Sequence, residues 1–406
     1  MTDALAPEPP TALPPEPGRG LAAVTALSRE RFAAEHWDTA PLLSRAADLP
    51  APAHGFDAAA VDELLARRAL RTPFLRMARD GATLEPRDFT LGGGVGAGIS
   101  DQVSEDKVLR LFADGATIVL QGLHRTWEPV ARAARDLASD LGHPVQVNAY
   151  VTPPQNQGFD DHYDVHDVFV VQVAGEKHWR VRPPVHERPL RNEPWTDRRD
   201  AVRAASAVEP VVDTVLRPGD ALYLPRGWLH SATALGGTSI HLTFGVHVWT
   251  GRHLAEDALA ATSRRLDADP SLRTALPVGT DVLDPATVAA ARDTVRAAVL
   301  RAVDALTAEE LAAALARRAR SAQRAEPLDV LAQHEAGGAD VGPRWRLRDG
   351  LAHRWEGTVL VTRVGRVEVA ADERESVAAV LTGAEPSGLP ADLRRRLVLA
   401  GVLLPH

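Results

Sequence analysis

The chain has 406 residues, 45% of them hydrophobic and 25% charged, with a formal net charge of -8, which provides for a sizeable core in more than one domain and excludes global disorder. The acidic balance argues against broad nucleic-acid binding, which depends on neutralising phosphates. Zero cysteines exclude disulfides, thiolate metal sites and cysteine nucleophiles, leaving His, Asp and Glu as metal ligands.

No apolar run approaches the ~18 residues needed to span a bilayer. The start Met1-Thr2-Asp3-Ala4 lacks the basic and apolar regions of a secretory signal, so a cytoplasmic protein is expected. Residues 1–25 are rich in Pro and Ala and read as a disordered tail. From Leu27 to about Leu137 the pattern is mostly helical, as in Arg29 to Leu43 and Val61 to Leu70. The glycine-rich stretch Leu91 to Gly98 lacks the Lys-Ser/Thr ending of a phosphate loop and reads as a loop. From Thr117 to about Trp249 short β-branched runs dominate: Thr117 to Gln121, Val145 to Val151, Val168 to Val173, His178 to Val181, Val211 to Leu216, Ala221 to Leu224 and Ile240 to Val246. Several are separated by Gly, Pro or Asp, and no long helices interleave, which predicts an antiparallel barrel or jelly roll.

After Gly251 the chain turns helical. Asp284-Pro285 predicts an N-cap and first helical position, and Thr307 to Glu310 a capping box. The alanine-rich helices with a narrow apolar stripe suit a helical segment over 251–325 that packs on another helix or a second subunit. Residues 326–406 predict a separate α+β unit: a strand at Arg344 to Leu347, a hairpin over Thr358 to Val369 turning at Gly365, and helices at Asp372 to Leu381 and Asp392 to Ala400. Its helix–strand mix resembles a winged helix. With ten arginines against twelve acids, DNA binding by it is not expected, and a docking module is.

The densest polar cluster runs from Asp160 to Asp167. In extended backbone, residues two apart point the same way, so His162 and Asp164 can face one metal. A further histidine must come from elsewhere, and His230, after Asp220 to Leu224 and a Pro/Gly turn, is well placed on a returning strand. Two His and one carboxylate suit a non-haem Fe(II) oxygenase, although Mn or Zn fits the same groups. His166 shares the two-residue phase and is a rival ligand, with Asp167 a candidate acceptor behind the ligands. Of 46 basic residues only Lys107 and Lys177 are lysines, so each invites a chemical reason. Lys107 lies in a helical stretch and suggests none. Lys177, past an expected Gly175-Glu176 hairpin, would return to the metal end of the barrel, where a buried ammonium needs an anion.

Asn148-Ala149-Tyr150-Val151-Thr152-Pro153-Pro154, Gln157-Gly158-Phe159, His162-Tyr163-Asp164 and Gln172 through Gly175, Lys177 and Trp179 resemble the active-site block of the jumonji-C/cupin ribosomal oxygenases. Asp220 to His230, with Ser239 to Thr243, resembles that family's third-ligand region, and Phe32 to Leu43 with Thr72 to Arg76 its N-terminal helical part. The resemblance implies a catalytic domain over 26–250, with a mostly β double-stranded β-helix (jelly-roll, cupin-like) core and flanking helices. It implies Fe(II) on His162, Asp164 and His230, the distal carboxylate of the cosubstrate 2-oxoglutarate on Lys177, and Asn148, Tyr150 and Thr243 as further pocket residues. With O2 as oxidant, the implied activity is hydroxylation of a protein side chain, an Arg or His of a ribosomal protein, by a homodimer with no membrane partner. Two departures stand out. Gly245 occupies a place where relatives often carry a cosubstrate-binding serine, and Lys177 stands where arginine-hydroxylating bacterial relatives carry Arg. Hydroxylation of another peptide or a small natural product stays open, as does a metal-binding scaffold without turnover.

Overall fold

Short β-branched runs within 117–246, joined by three strands from 42–83, build one large antiparallel sheet. The computed structural model describes residues 18–405 apart from 80, 158, 282, 323, 339–343 and 363–364. The chain divides into two compact units, one ending at Val248 and the other running from Trp249 to the C-terminus.

Besides a two-stranded pair, Thr90–Leu91 with Gln102–Val103, the described residues of the first unit form one nine-stranded sheet: β1 (Leu42–Ser44), β2 (Leu75–Arg79), β3 (Ala82–Thr83), β4 (Thr117–Leu120), β5 (Val145–Thr152), β6 (Asp167–Arg182), β7 (Val212–Leu216), β8 (Ala221–Leu224) and β9 (Leu229–Val246). Their order is β1-β8-β6-β9-β5-β4-β2-β3, with β7 also on β6, and every pairing is antiparallel. This antiparallel core with flanking helices is the expected fold class. Helix Arg29–Glu35, capped by Ser28, presses Phe32 onto Phe169 and Tyr223, with ring centroids 5.7 and 4.9 Å apart. Burying such a ring contributes roughly 1.5–3 kcal/mol.

Four expectations need correction here. The Gly175-Glu176 hairpin does not form, because β6 runs unbroken from Asp167 to Arg182. Strand β9 pairs with it on both sides of that point, from Leu229↔Arg182 to Val246↔Asp167, so the backbone has no freedom to reverse. Gly175 instead sits at a bulge with φ +62°, where a Cβ would lie 2.3 Å from the Thr238 carbonyl oxygen. Nor do β8 and β9 form a hairpin: the chain turns at 225–228, but β6 lies between them. The mostly helical reading of 27–137 overlooked β1, β2, β3 and the Thr90–Leu91/Gln102–Val103 pair, because strands of two to five residues carry little periodicity. The tail expected to reach residue 25 stops sooner: residues 1–17 lie outside the described residues, but Leu21 and Val24 are buried in the core. Leu21 is held there by its backbone N–H donating to Asp140 Oδ2 at 2.8 Å.

In the second unit, Gly251–Ala268, Pro285–Asp304 and Ala308–Ala322 are helices. Asp284 caps the second through the Ala286 N–H, and Thr307 and Glu310 exchange the two bonds of a capping box. The remainder is α+β. Trp345–Leu347 pairs with Leu403–Pro405, and His353–Glu356, Val359–Thr362 and Arg366–Glu368 form a second small sheet. Helices Val330–Gly338, Arg374–Leu381 and Ala391–Leu399 cover a core of Leu360, Leu393, Leu397 and Leu403. The expected turn before Gly365 includes residues 363–364, outside the described residues. No described helix is long and apolar enough to cross a membrane.

Candidate functional site

A cavity of about 230 Å³ opens within the sheet unit, lined by residues of β2, β4, β5, β6 and β9 and by the 159–164 segment. His162 lies in extended chain that bridges to the start of β9: its N–H donates to the His230 carbonyl at 3.2 Å, and the His230 N–H returns a 2.8 Å bond to the His162 carbonyl. This bridge places the two rings 4.4 Å apart, centroid to centroid. Asp164 follows two residues on, and its Oδ2 lies 3.8 Å from His230 Nε2. Ligand atoms of His162, Asp164 and His230 all fall within 4.8 Å of one another, a grouping able to hold one metal ion.

Local bonds orient both imidazoles. His162 Nδ1 lies 2.7 Å from the Asp160 carbonyl and His230 Nδ1 3.0 Å from the Trp228 carbonyl. Carbonyls only accept, so Nδ1 carries the proton in each ring and Nε2 is left as a ligand. Burial, helped by the His162 charge, pushes the His230 imidazole down to about 4, so it is the neutral form a metal requires. Burial alone would raise the Asp164 carboxyl, but the surrounding imidazoles of His166, His230 and His162 and the Arg76 guanidinium outweigh it and hold the group below its ordinary value.

Lys177 is 4% exposed and projects into the same cavity. The bulge at Gly175 decides this. Before it the even residues Val168 and Val170 line the cavity, and after it the odd residues Lys177 and Trp179 do, a one-residue change of phase. The ammonium donates to Thr152 Oγ1 at 3.1 Å, and the Thr152 and Thr117 hydroxyls are 3.2 Å apart. No described carboxylate lies within ion-pair distance of it. Burial pushes this amine down to about 7. A basic group beside two hydroxyls, sharing one cavity with a metal-ligand set, fits an anion bound in that cavity.

Tyr150 and Thr243 also line the cavity. Tyr150 stacks on His241, centroids 4.9 Å apart and planes 3° from parallel, and its phenol is raised to about 12 by burial and the Asp164 charge. Asn148 shares the face, but its Oδ1 accepts the Gly122 N–H at 3.0 Å and it is not on the cavity wall. His166, the rival ligand, stays out of the triad because the chain bends at 165–166. Its ring stacks on His247 and packs over Gly245, whose missing Cβ would lie 2.7 Å from His166 Cδ2. Asp167 does not support the ligand histidines either, since its carboxylate accepts from Tyr223, the Arg226 backbone and the Arg226 guanidinium. Arg76, Thr117, His241, Trp179 and Trp195 reach the wall without having been anticipated. For Trp179 and His241 a signal existed, because each lies two residues from an expected site residue on the same strand.

A JmjC domain model matches residues 123–254, a span that includes the three clustered ligands and Lys177. Chicken (Gallus gallus) ribosomal oxygenase 1 is 30% identical over 254 residues, covering 61% of this chain and 40% of that protein. Human ribosomal oxygenase 1 is 42% identical over 115 residues, covering 27% of this chain and 17% of that protein. The protein is a JmjC-domain protein related to the ribosomal oxygenases. The matched segments span less than half the length of these curated relatives. A crystal structure of Escherichia coli ycfD shares the fold of this JmjC protein, with a TM-score of 0.59, 17% identity, and coverage of 94% of this chain and 99% of that one. Another structure of ycfD, a ribosomal oxygenase in complex with cobalt and 2-oxoglutarate, aligns with a TM-score of 0.55 at 16% identity, covering 93% of this chain and 95% of that one.

Proposed function

We propose that this JmjC protein is an Fe(II)- and 2-oxoglutarate-dependent hydroxylase of a protein side chain, with a ribosomal protein as the substrate. One observation carries the reading: His162, Asp164 and His230 cluster in the same cavity as Lys177, a buried amine without a carboxylate partner among the described residues. Two imidazoles and a carboxylate on one side leave positions open for a chelating cosubstrate. Iron, when bound, supplies the redox chemistry that activates dioxygen. Overall, 2-oxoglutarate and O2 become succinate and CO2, and one substrate C–H becomes C–OH.

The protein's own groups bind, orient and exclude water. Lys177 holds the distal carboxylate of 2-oxoglutarate, with Thr152 fixing the ammonium. Tyr150 and Thr243 position the cosubstrate from β5 and β9, and Asn148 supports that wall through the Gly122 backbone. Phe159, Trp179 and Trp195 shield the reacting centre from bulk water. The names of the relatives support the ribosomal substrate. In the second unit, Leu259, Val288, Val295, Leu300 and Val303 are exposed on its helices, which supports a homodimerisation role for 251–325; a docking role for 326–406 completes the proposal.

The test is succinate release with Fe(II) and 2-oxoglutarate, first alone and then with ribosomal protein. Uncoupled turnover lost in His162→Ala is expected and would eliminate the scaffold alternative. A one-oxygen mass gain on a ribosomal peptide would eliminate the small-molecule alternative.

A further inference from the structure

We propose that Arg76 is a specificity-determining residue: its guanidinium receives a target side chain that accepts a hydrogen bond and carries no positive charge, and it disfavours arginine and lysine. The proposal rests on the oxygenase reading above and names the class of substrate that reading leaves open.

Arg76 lies on β2, and the register Arg76↔Val119↔Tyr150 sets it in one cross-strand row with the tyrosine on the cavity wall. It lines the same cavity as the metal-ligand set. The side chain is half-buried, its Nε is buried without a hydrogen-bond partner, and the one carboxylate acting on it is that of Asp164, which is committed to the metal-ligand set. A guanidinium has five donors and stays charged at every accessible pH, so leaving it unpartnered inside a fold is costly unless something else supplies the acceptor.

The charge balance of the wall indicates what that acceptor is. Asp164 is the one carboxylate among the lining residues, against the cations Lys177 and Arg76. With metal and cosubstrate in place, Asp164 and one cosubstrate carboxylate would balance a divalent ion, and the distal carboxylate would balance Lys177. The Arg76 charge remains uncompensated when the cosubstrate is in place. A second guanidinium or an ammonium entering the cavity would meet that charge in a poorly screened space. An imidazole, carboxamide or carboxylate would instead provide the missing acceptor.

The experiment incubates the full-length protein, Fe(II) and 2-oxoglutarate with a glutamyl-endopeptidase digest of bacterial ribosomal proteins, and maps each one-oxygen mass gain to a residue type. Wild-type protein is expected to oxidise His, Asn, Gln, Asp or Glu in preference to Arg and Lys by at least about tenfold. Arg76→Glu should lower oxidation of the acceptor residues by about tenfold and introduce oxidation of arginine or lysine. Arg76→Met should show the loss without the new targets, with Arg76→Lys recovering part of it; circular dichroism melts of all three keep a folding defect distinct from a lost contact. Wild-type oxidation confined to Arg or Lys, oxidation of no peptide despite succinate release, or an Arg76→Glu product pattern identical to wild type overturns the proposal. Absence of any succinate release by the wild type overturns the oxygenase reading itself, a distinguishable failure.

Discussion

Buried polar groups are treated differently in the two units. In the C-terminal unit Gln333 is enclosed, and its Nε2 donates to the Val398 and Leu403 carbonyls, closing the ends of neighbouring elements. The orphaned side-chain nitrogen described there, Arg354 Nε, belongs to a guanidinium that pairs with Glu356. In the sheet unit Arg76 Nε, Trp179 Nε1 and His241 Nδ1 are all buried without partners on the wall of one cavity. Lys177 has only a hydroxyl. Five further buried atoms of this unit, on Asp38, His54, Gln121, Gln172 and Arg226, also lack hydrogen-bond partners but lie away from that wall, whereas the three on it converge with Lys177 and the metal-ligand set on one space, as groups arranged for a ligand do. The lesson is that convergence of unsatisfied groups on one cavity, rather than their number, separates a site from a scaffold.

The largest expected break in this contrast is His162→Ala. It should remove metal retention, measured by metal content after gel filtration, and lower succinate release by at least about 100-fold, since disturbing even the partners of ligands costs roughly 10–100-fold. Next is Lys177→Met. Truncating one partner of a buried charge pair costs about 2–5 kcal/mol, so the KM for 2-oxoglutarate should rise by roughly 100-fold. The free protein should meanwhile gain about 1–4 kcal/mol in denaturant unfolding, because an apolar side chain replaces a buried charge. The pH dependence follows with its sign. Between about 7 and the ordinary lysine value of 10.5, the unfolded chain holds a proton at this residue that the folded one has released, so stability rises with pH across that window. Binding the carboxylate requires the proton back, so KM for 2-oxoglutarate should increase above about pH 7 by up to about tenfold per unit. Both slopes should vanish in Lys177→Met.

Smaller effects sharpen the comparison. Gln333→Leu removes the amide donor from the Leu403 and Val398 carbonyls, the second of which keeps the Gly401 N–H, and should lower stability by about 1–3 kcal/mol, with uncoupled succinate release unchanged. Gly245→Ala should cost about 1 kcal/mol or slightly more through crowding of His166. Shortening that ring as well, in Gly245→Ala/His166→Ala, should restore most of the loss in a thermal melt.

Much of the site could be read along the chain because its ligands obey local rules. His162 and Asp164 follow the two-residue phase of extended backbone, His230 follows a turn that sets its strand, and a lysine surviving in an arginine-rich chain marked Lys177. The helix caps at Asp284 and Thr307 were legible for the same reason: a cap is a contact over two or three residues. What needed the tertiary structure was everything set by partners distant in sequence. Gly175 could serve equally in a turn or a bulge, and only pairing with β9 on both sides decided for the bulge, and with it the face on which Lys177 appears. Arg76 and His241 gained their places from the row of strands β2, β4, β5 and β9. The absence of a Cβ at Gly245 acquired meaning only when the ring of His166 was found over it. Side-chain type and short-range phase belong to the sequence. Register, and therefore which polar groups share one enclosed space, belongs to the assembled sheet, because each strand's facing is chosen by the hydrogen bonds of its neighbours.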